Sequence, residues 1–377
     1  MSRGLDPSLA QRLVDQVGAS IAHNVNLMDA DGLIIGSRDP DRVGTPHEGA
    51  ARAATSRRPV RISSAEATEF VRPGVNLPLV VDGDVLGVVG VTGDPDEVGE
   101  LASLVLLSLR LILDVEQEQD ARAARDGQAR ELLAALAAGP VEAELLRARS
   151  VAAGAALEPP YRVMALFEPP AAPRSGIDGS PARRAPAPPV AAARLQRAAR
   201  ADPGCIAVVE HDALWVLQGG ADSGAGERLR RRAAELDAAV LDSGIVREPE
   251  GFAGAVRRVR LLLAVPALVP SAGGELRDLE AESLVAAISP AERRSLAARV
   301  IAPLGRLERA TARALVEAGG SLSLTAAELG LHRNSLAARV AALARATGRD
   351  PRAPAELRRL ALGLLAARAT AAEEFPG

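Results

Sequence analysis

The chain of 377 residues is 48% hydrophobic, only 2% aromatic and has a net charge of −3, which allows two or three domains with cores of Leu, Val, Ile and Ala. All 45 basic side chains are Arg, excluding a phosphate-loop or Schiff-base lysine, and the single Cys205 excludes an intramolecular disulfide or multi-cysteine metal site and fits a reducing compartment. His23, His47, His211 and His332 lack metal-ligand spacing, and the apolar runs Leu104–Leu113 and Leu261–Val269 are too short to span a bilayer, so we expect no metal, no cofactor and no membrane contact.

Leu9, Leu13 and Val17 mark an opening helix. His23–Met28 and Leu33–Ser37 flank the turn sequence Asp29-Ala30-Asp31-Gly32 and predict a hairpin. A helix follows from about Pro46 to Ser56, and a second hairpin joins Val75–Val81 to Val85–Thr92 across Asp82-Gly83-Asp84. The unit, residues 1–116, reads as a small antiparallel sheet carrying helices, a PAS-like sensor layout.

Two of its strand ends are unusually polar, 36–49 and 72–78. Thr45-Pro46-His47-Glu48 reads as a capping box with proline at the first helical position, and a helix start with spare N–H groups also attracts anions. Capping alone accounts for Thr45 and Glu48. Arg42 can clamp a carboxylate through two parallel hydrogen bonds, the alternative being a surface ion pair with Asp39 or Asp41. Ser37, His47 and Asn76 can bond hydroxyls, and Gly90 lets a facing strand approach a ligand closely.

No signal peptide opens the chain, so a cytoplasmic protein is expected. After Asp94-Pro95, Leu101, Val105, Ser108, Ile112 and Val115 recur at alternating four and three spacing. This is either a short seam between copies or the face by which the helix packs on its own domain. A connecting helix, 117–140, ends at Gly139-Pro140. The central region, 141–288, has strand-like runs Tyr161–Phe167, Ile206–Glu210 and Ala213–Gln218, with His211 in a hairpin turn, and a Pro/Ala-rich insert, 168–190, that reads as extended or disordered. It shows no catalytic constellation.

The region 291–371 reads as all helical. Between 291 and 370 stand 14 arginines and six acids, a local charge of +8 in a chain of −3, as expected of a phosphate-binding module. Ser321–Val340 reads as helix, turn, helix. Ser323 or Thr325 can cap the first helix, with Glu328 completing a capping box, and Gly330 can supply a positive φ at the break. Leu336, Val340 and Leu343 should face inward, leaving Arg333, Asn334 and Arg339 outward where a recognition helix meets DNA. The alternative is a solvated basic face on an ordinary helical domain.

The segments Leu5–Asp15, Asn24–Met28-Asp29, Gly32–Ser37, Asp41–Ala50 and Pro73–Pro78 through Gly87–Pro95 resemble the carbohydrate diacid regulator family. Leu331-His332-Arg333-Asn334-Ser335-Leu336 and Arg345–Gly348 resemble its purine-catabolism-regulator type helix-turn-helix. The resemblance implies a homo-oligomeric regulator that binds a small hydroxy-carboxylate (glycerate, glucarate or galactarate) and operator DNA, with a degenerate cyclase-like centre and no enzymatic activity. It adds Gly44 and Leu77 to Ser37, Arg42, Thr45, His47, Asn76 and Gly90 at the ligand site, and His332 and Ser335 to Ser323, Thr325, Arg333, Asn334 and Arg339 at the DNA surface. Family members often carry a basic and an aromatic residue where this chain has Ala337-Ala338, which alters the expected operator contacts. The rival readings are a nucleotide cyclase-like enzyme and a ligand-binding scaffold that does not bind DNA.

Overall fold

Strands buried on both faces set the architecture of the N-terminal unit. The computed structural model describes residues 5–19, 21–67, 72–81, 83–168, 189–221 and 224–374 and divides into two units, 1–123 and 124–377. In the first, β1 (Val25–Met28), β2 (Ile34–Ser37), β3 (Val60–Ile62), β4 (Gly74–Val81) and β5 (Asp84–Thr92) form one antiparallel sheet in the order β2-β1-β5-β4-β3. Both expected hairpins are present; β3 is an additional edge strand. Asp82 of the second predicted turn, and 169–188 of the Pro/Ala-rich insert, lie outside the described residues.

Because successive side chains alternate across a strand, the sheet has two different faces. Val25, Leu27, Val75, Leu77, Leu79, Val89 and Val91 pack against α1 (Pro7–Gly18) and the first part of α3 (Pro95–Ala138). Met28, Ile34 and Val88 pack on the other side against Ala50, Ala53 and Ala54 of α2 (Glu48–Ser56). The α1 start is fixed by Asp6, which accepts hydrogen bonds from Ser8 N (2.9 Å) and Leu9 N (3.1 Å).

The face of α3 turned to the sheet comprises Val98, Ala102, Val105, Leu109 and Leu113. This corrects the expected seam in part. Val105 is core and Leu101 and Ile112 border it, but Ser108 and Val115 are exposed. The sequence boundary at 116 and the connecting segment 117–140 fall within this single helix of 44 residues and just beyond it.

The second unit is built on β6 (Arg162–Phe167), β7 (Cys205–Glu210), β8 (Ala213–Gln218), β9 (Ala239–Asp242) and β10 (Gly273–Glu275), ordered β10-β9-β6-β8-β7, with only β9–β10 parallel among the described strands. One face packs on α5 (Pro189–Arg200) and α6 (Ala225–Ala234). The other buries Trp215, Val163 and Leu217 under the last turns of α3 and under α7 (Pro249–Ala264), whose Phe252 stacks on Tyr161 at 4.9 Å. The short helix α4 (Ala143–Ala152) and α8 (Glu280–Ala287) close this core. Asp242, buried on β9, is held by Arg162 (3.1 Å) and Arg230 (2.6 Å), so a carboxylate in the sheet has charged partners.

The remaining helices are α9 (Pro290–Val300), α10 (Arg306–Glu317), α11 (Leu322–Leu329), α12 (Arg333–Thr347) and α13 (Pro354–Glu374). Val300, Ile301, Leu304, Ala312, Leu343 and Leu360 form their core. α13 also places Ala366 and Ala369 in the central core, and Arg368 donates to Leu268 O at 3.0 Å. The helical segment is therefore welded to the central sheet rather than tethered to it. No described helix is long and apolar enough to cross a membrane.

Candidate functional site

The register of the first sheet assembles the candidate ligand site. Ser37 lies opposite Asn26, Asn26 opposite Gly90, and Gly90 opposite Asn76. Directly opposed residues project from the same face, so these four form a row across the sheet, on the side covered by α2. Asn26 is 2% exposed and Asn76 3%. Ser37 Oγ donates to Asn26 Oδ1 at 2.6 Å and accepts from Asp39 N at 3.0 Å, and Asn24 Nδ2 also donates to Asn26 Oδ1 at 3.0 Å. The Asn76 amide makes no side-chain hydrogen bond among the described residues, which leaves its donors and acceptor available to another partner. Gly90 allows close packing over the row: a Cβ there would lie 3.0 Å from both Asn76 Oδ1 and Met28 Cε.

The charged part of the site comes from the segment between β2 and α2. A single 3-10 turn, Pro40–Arg42, ends at Arg42, whose Nη1 is buried with no acceptor among the described residues. Burial, and then the charge of Arg72, lower the Arg42 pKa, while Asp39 opposes them. Arg72 pairs with Asp39 at 3.7 Å. His47, 7% exposed, has its imidazolium form disfavoured by burial and then by Arg42. Two guanidiniums and an imidazole therefore act on one another here, with Asp39 paired to Arg72 and drawing on Arg42 from a distance. The ion pair open to Arg42 is a long-range interaction with Asp39, not a contact.

The start of α2 departs from the expected capping box. His47, not Thr45, is the N-cap, and its Nδ1 accepts from Ala50 N at 3.2 Å. Thr45 Oγ1 instead donates to Arg42 O at 2.7 Å, bracing the Arg42 turn, and Pro46 pairs with Leu33 ahead of the helix. Gly44 is exposed, and its N–H donates to Ile34 O at 2.8 Å. Leu77, one residue from Asn76, points to the opposite face and sits in the α1/α3 core, so its side chain is turned away from the row. Sequence reasoning missed Asn26 and Arg72. The signal for Asn26 was present: an amide between Val25 and Leu27 in an otherwise apolar strand.

The second candidate surface is the helix pair α11–α12. Gly330 takes φ +63 at the break, as expected. The cap of α11 is Ser321, whose Oγ accepts from Leu324 N at 3.5 Å; this corrects the assignment to Ser323 or Thr325. Thr325 is buried inside α11 and donates to Ser321 O at 2.7 Å, so it cannot touch DNA, whereas Ser323 is exposed beside Ser321 at 3.1 Å. Glu328 sits near Glu317 of α10, which raises its pKa chiefly through their shared hydrogen bond, and closes no capping box. His332 caps α12 by accepting from Asn334 N at 3.4 Å.

Leu336, Val340 and Leu343 are buried as predicted. Arg333, Asn334 and Ser335 are exposed, and Arg339 is half-buried on the flank. Helical spacing sets Asn334, Ala338, Ala341 and Arg345 on the side opposite the core, and all four are exposed. Arg345 thus shares the Asn334 face, a position sequence reasoning did not single out. The local charge of +8 is partly internal: Arg293, Arg309 and Arg368 donate to backbone carbonyls, and Arg352 and Arg359 pair with Asp350 and Glu356. The side chains of Arg333, Arg345 and Arg349 have no such partner among the described residues.

In the central sheet, His211 lies in the exposed β7–β8 turn with φ +48, and burial pushes the Cys205 thiol up to about 12, which keeps it protonated and unreactive.

Residues 5–136 match the family described as sugar diacid recognition, and residues 309–366 match the PucR C-terminal helix-turn-helix domain. The chain is 40% identical over 112 residues to the carbohydrate diacid regulator of Escherichia coli, 29% of each chain. It is 38% identical over 121 residues to an uncharacterized protein of Haemophilus influenzae (30% of this chain, 33% of that one) and 37% over 103 residues to YsfB of Bacillus subtilis (27% and 28%). These matches span only 28–33% of the relatives' own length. Among solved structures, a regulator of polyketide synthase expression from Bifidobacterium adolescentis aligns with TM-score 0.30 and 19% identity, covering 62% of this chain and 88% of that one. The chain therefore joins a sugar diacid recognition domain at residues 5–136 to a PucR-type helix-turn-helix domain at residues 309–366.

Proposed function

We propose that this is a ligand-responsive transcriptional regulator without enzymatic activity. Its N-terminal site takes a small hydroxy-carboxylate of the glycerate, glucarate or galactarate class, and α12 takes operator DNA. The observation that carries the reading is the Arg42 Nη1, buried with no acceptor among the described residues and close enough to His47 for its charge to act on the imidazole. A carboxylate would satisfy the guanidinium, and hydroxyls, which both donate and accept, would pair with the Asn76 amide, the second lone pair of Ser37 Oγ and Nε2 of His47. The strand order β2-β1-β5-β4-β3 supports the PAS-like reading of the sensor, and the central sheet supports the degenerate cyclase-like one. The protein acts in the cytoplasm as a homo-oligomer, and α3 carries the coupling between ligand and operator, typically about 1–3 kcal/mol and reciprocal.

Thermal-shift and calorimetric titration of the full chain with glycerate, glucarate, galactarate and a nucleotide panel test this reading, because a ligand that binds the native state stabilises it by mass action. A hydroxy-carboxylate is expected to raise the melting temperature and nucleotides are not. Stabilisation by a nucleotide alone would overturn it.

A further inference from the structure

The face of α3 turned away from the sheet carries Leu104, Leu107, Leu111 and Val115, exposed by 62%, 64%, 63% and 45%. Their spacing of three, four and four places them in one stripe along about three turns of the helix. Together they expose roughly 400 Å² of apolar side chain, as much as the largest patch on a typical monomer. Beside the stripe, Ser103 and Ser108 turn their hydroxyls onto their own helix, donating to Gly99 O (3.0 Å) and Leu104 O (2.9 Å), and so present little that needs water.

We infer that this stripe is where two copies of the chain pair, antiparallel, about a two-fold axis near Leu111. About that axis Leu107, Leu111 and Val115 of the two copies meet and bring together about 600 Å² of apolar surface, which the flanking side chains raise toward the roughly 1,200–2,000 Å² of a stable interface. Charge selects the orientation. Arg110 and Asp114 lie on the same flank of the stripe, both are exposed, and neither has an ion-pair partner among the described residues. An antiparallel two-fold pair sets like flanks together, so Arg110 of each copy faces the partner's Asp114, twice by symmetry. A parallel pair would set that flank against Ser108 and leave both charges unpaired. The inference does not rest on the ligand or DNA reading.

Sedimentation velocity of the full chain from about 1 to 100 µM tests it. The wild type should dimerise, and Leu107→Glu with Leu111→Glu should weaken dimerisation by at least about 100-fold while leaving circular dichroism unchanged, since both side chains point to solvent. Oxidative cross-linking tests the orientation without a charge in the stripe. Leu111→Cys should form a disulfide-linked dimer, because it meets its own copy at the axis, and Leu104→Cys should not. A monomeric wild type, an unweakened double variant, or efficient cross-linking through Leu104→Cys would each overturn the proposal.

Discussion

Replacing Arg42 separates a ligand-binding guanidinium from a structural one, because the two roles give opposite signs for the unliganded protein. Arg42 Nη1 is buried with no acceptor among the described residues, so it already bears a desolvation penalty. An unsatisfied buried donor costs about 1–3 kcal/mol, and for a half-exposed guanidinium the lower end applies, about 1 kcal/mol. Arg42→Ala removes that penalty and breaks no side-chain hydrogen bond among the described residues, so the apo protein should melt at the same temperature or up to roughly 4 °C higher. The liganded state loses a charge-assisted bidentate contact worth roughly 2–4 kcal/mol, or about 30- to 1000-fold in affinity. Arg42→Lys keeps the charge without the planar fork and should fall between. Calorimetric titration with the best-binding hydroxy-carboxylate, beside apo melting curves, measures both. Wild-type affinity in a folded Arg42→Ala variant would refute the carboxylate clamp, and a strongly destabilised apo variant would make Arg42 a structural residue.

Gly90→Ala places a Cβ 3.0 Å from Asn76 Oδ1 and Met28 Cε, so it should abolish ligand-induced stabilisation at a cost of about 1–3 kcal/mol in apo stability, read by thermal shift. His47 has a folded-state pKa below the ordinary 6.5, so its stabilising share is complete above about pH 6.5 and falls as pH drops from there through the lowered folded value, because the unfolded chain takes up the proton first. Denaturant titrations should show His47→Gln flattening that dependence, and a carboxylate ligand should bind more tightly below about pH 6.5 with measurable proton uptake. At α12, Arg345→Ala and Arg333→Ala should weaken all duplexes alike and reduce the salt slope by about one unit each, whereas Asn334→Ala should relax preference at one base position. Fluorescence anisotropy with operator and scrambled duplexes distinguishes these, and unchanged binding in all three would remove this helix from the interface.

Local patterns in the chain already specified the two hairpins, the opening helix, the inward residues Leu336, Val340 and Leu343, and the glycine break at Gly330. Each depends on side-chain periodicity or a turn residue within a few positions, and such information is carried by neighbours in sequence. Capping was less legible, since Ser321, Ser323 and Thr325 offer the same hydroxyl chemistry. The backbone conformation of Ser321, extended just before the helix, decided among them. The site needed the tertiary structure. Asn26, Gly90 and Asn76 come from three strands, and only the register sets them opposite one another while sending Leu77 into the core. On α3 the sequence offered apolar residues on more than one face. Packing against the sheet chose Val98, Ala102, Val105, Leu109 and Leu113, which left Leu104, Leu107 and Leu111 in solvent. Net charge likewise gave a basic C-terminal segment, but which arginines remain available depends on which ones the folded backbone and its carboxylates already occupy, and that is set by contacts between residues far apart in the chain, as between Arg368 and Leu268.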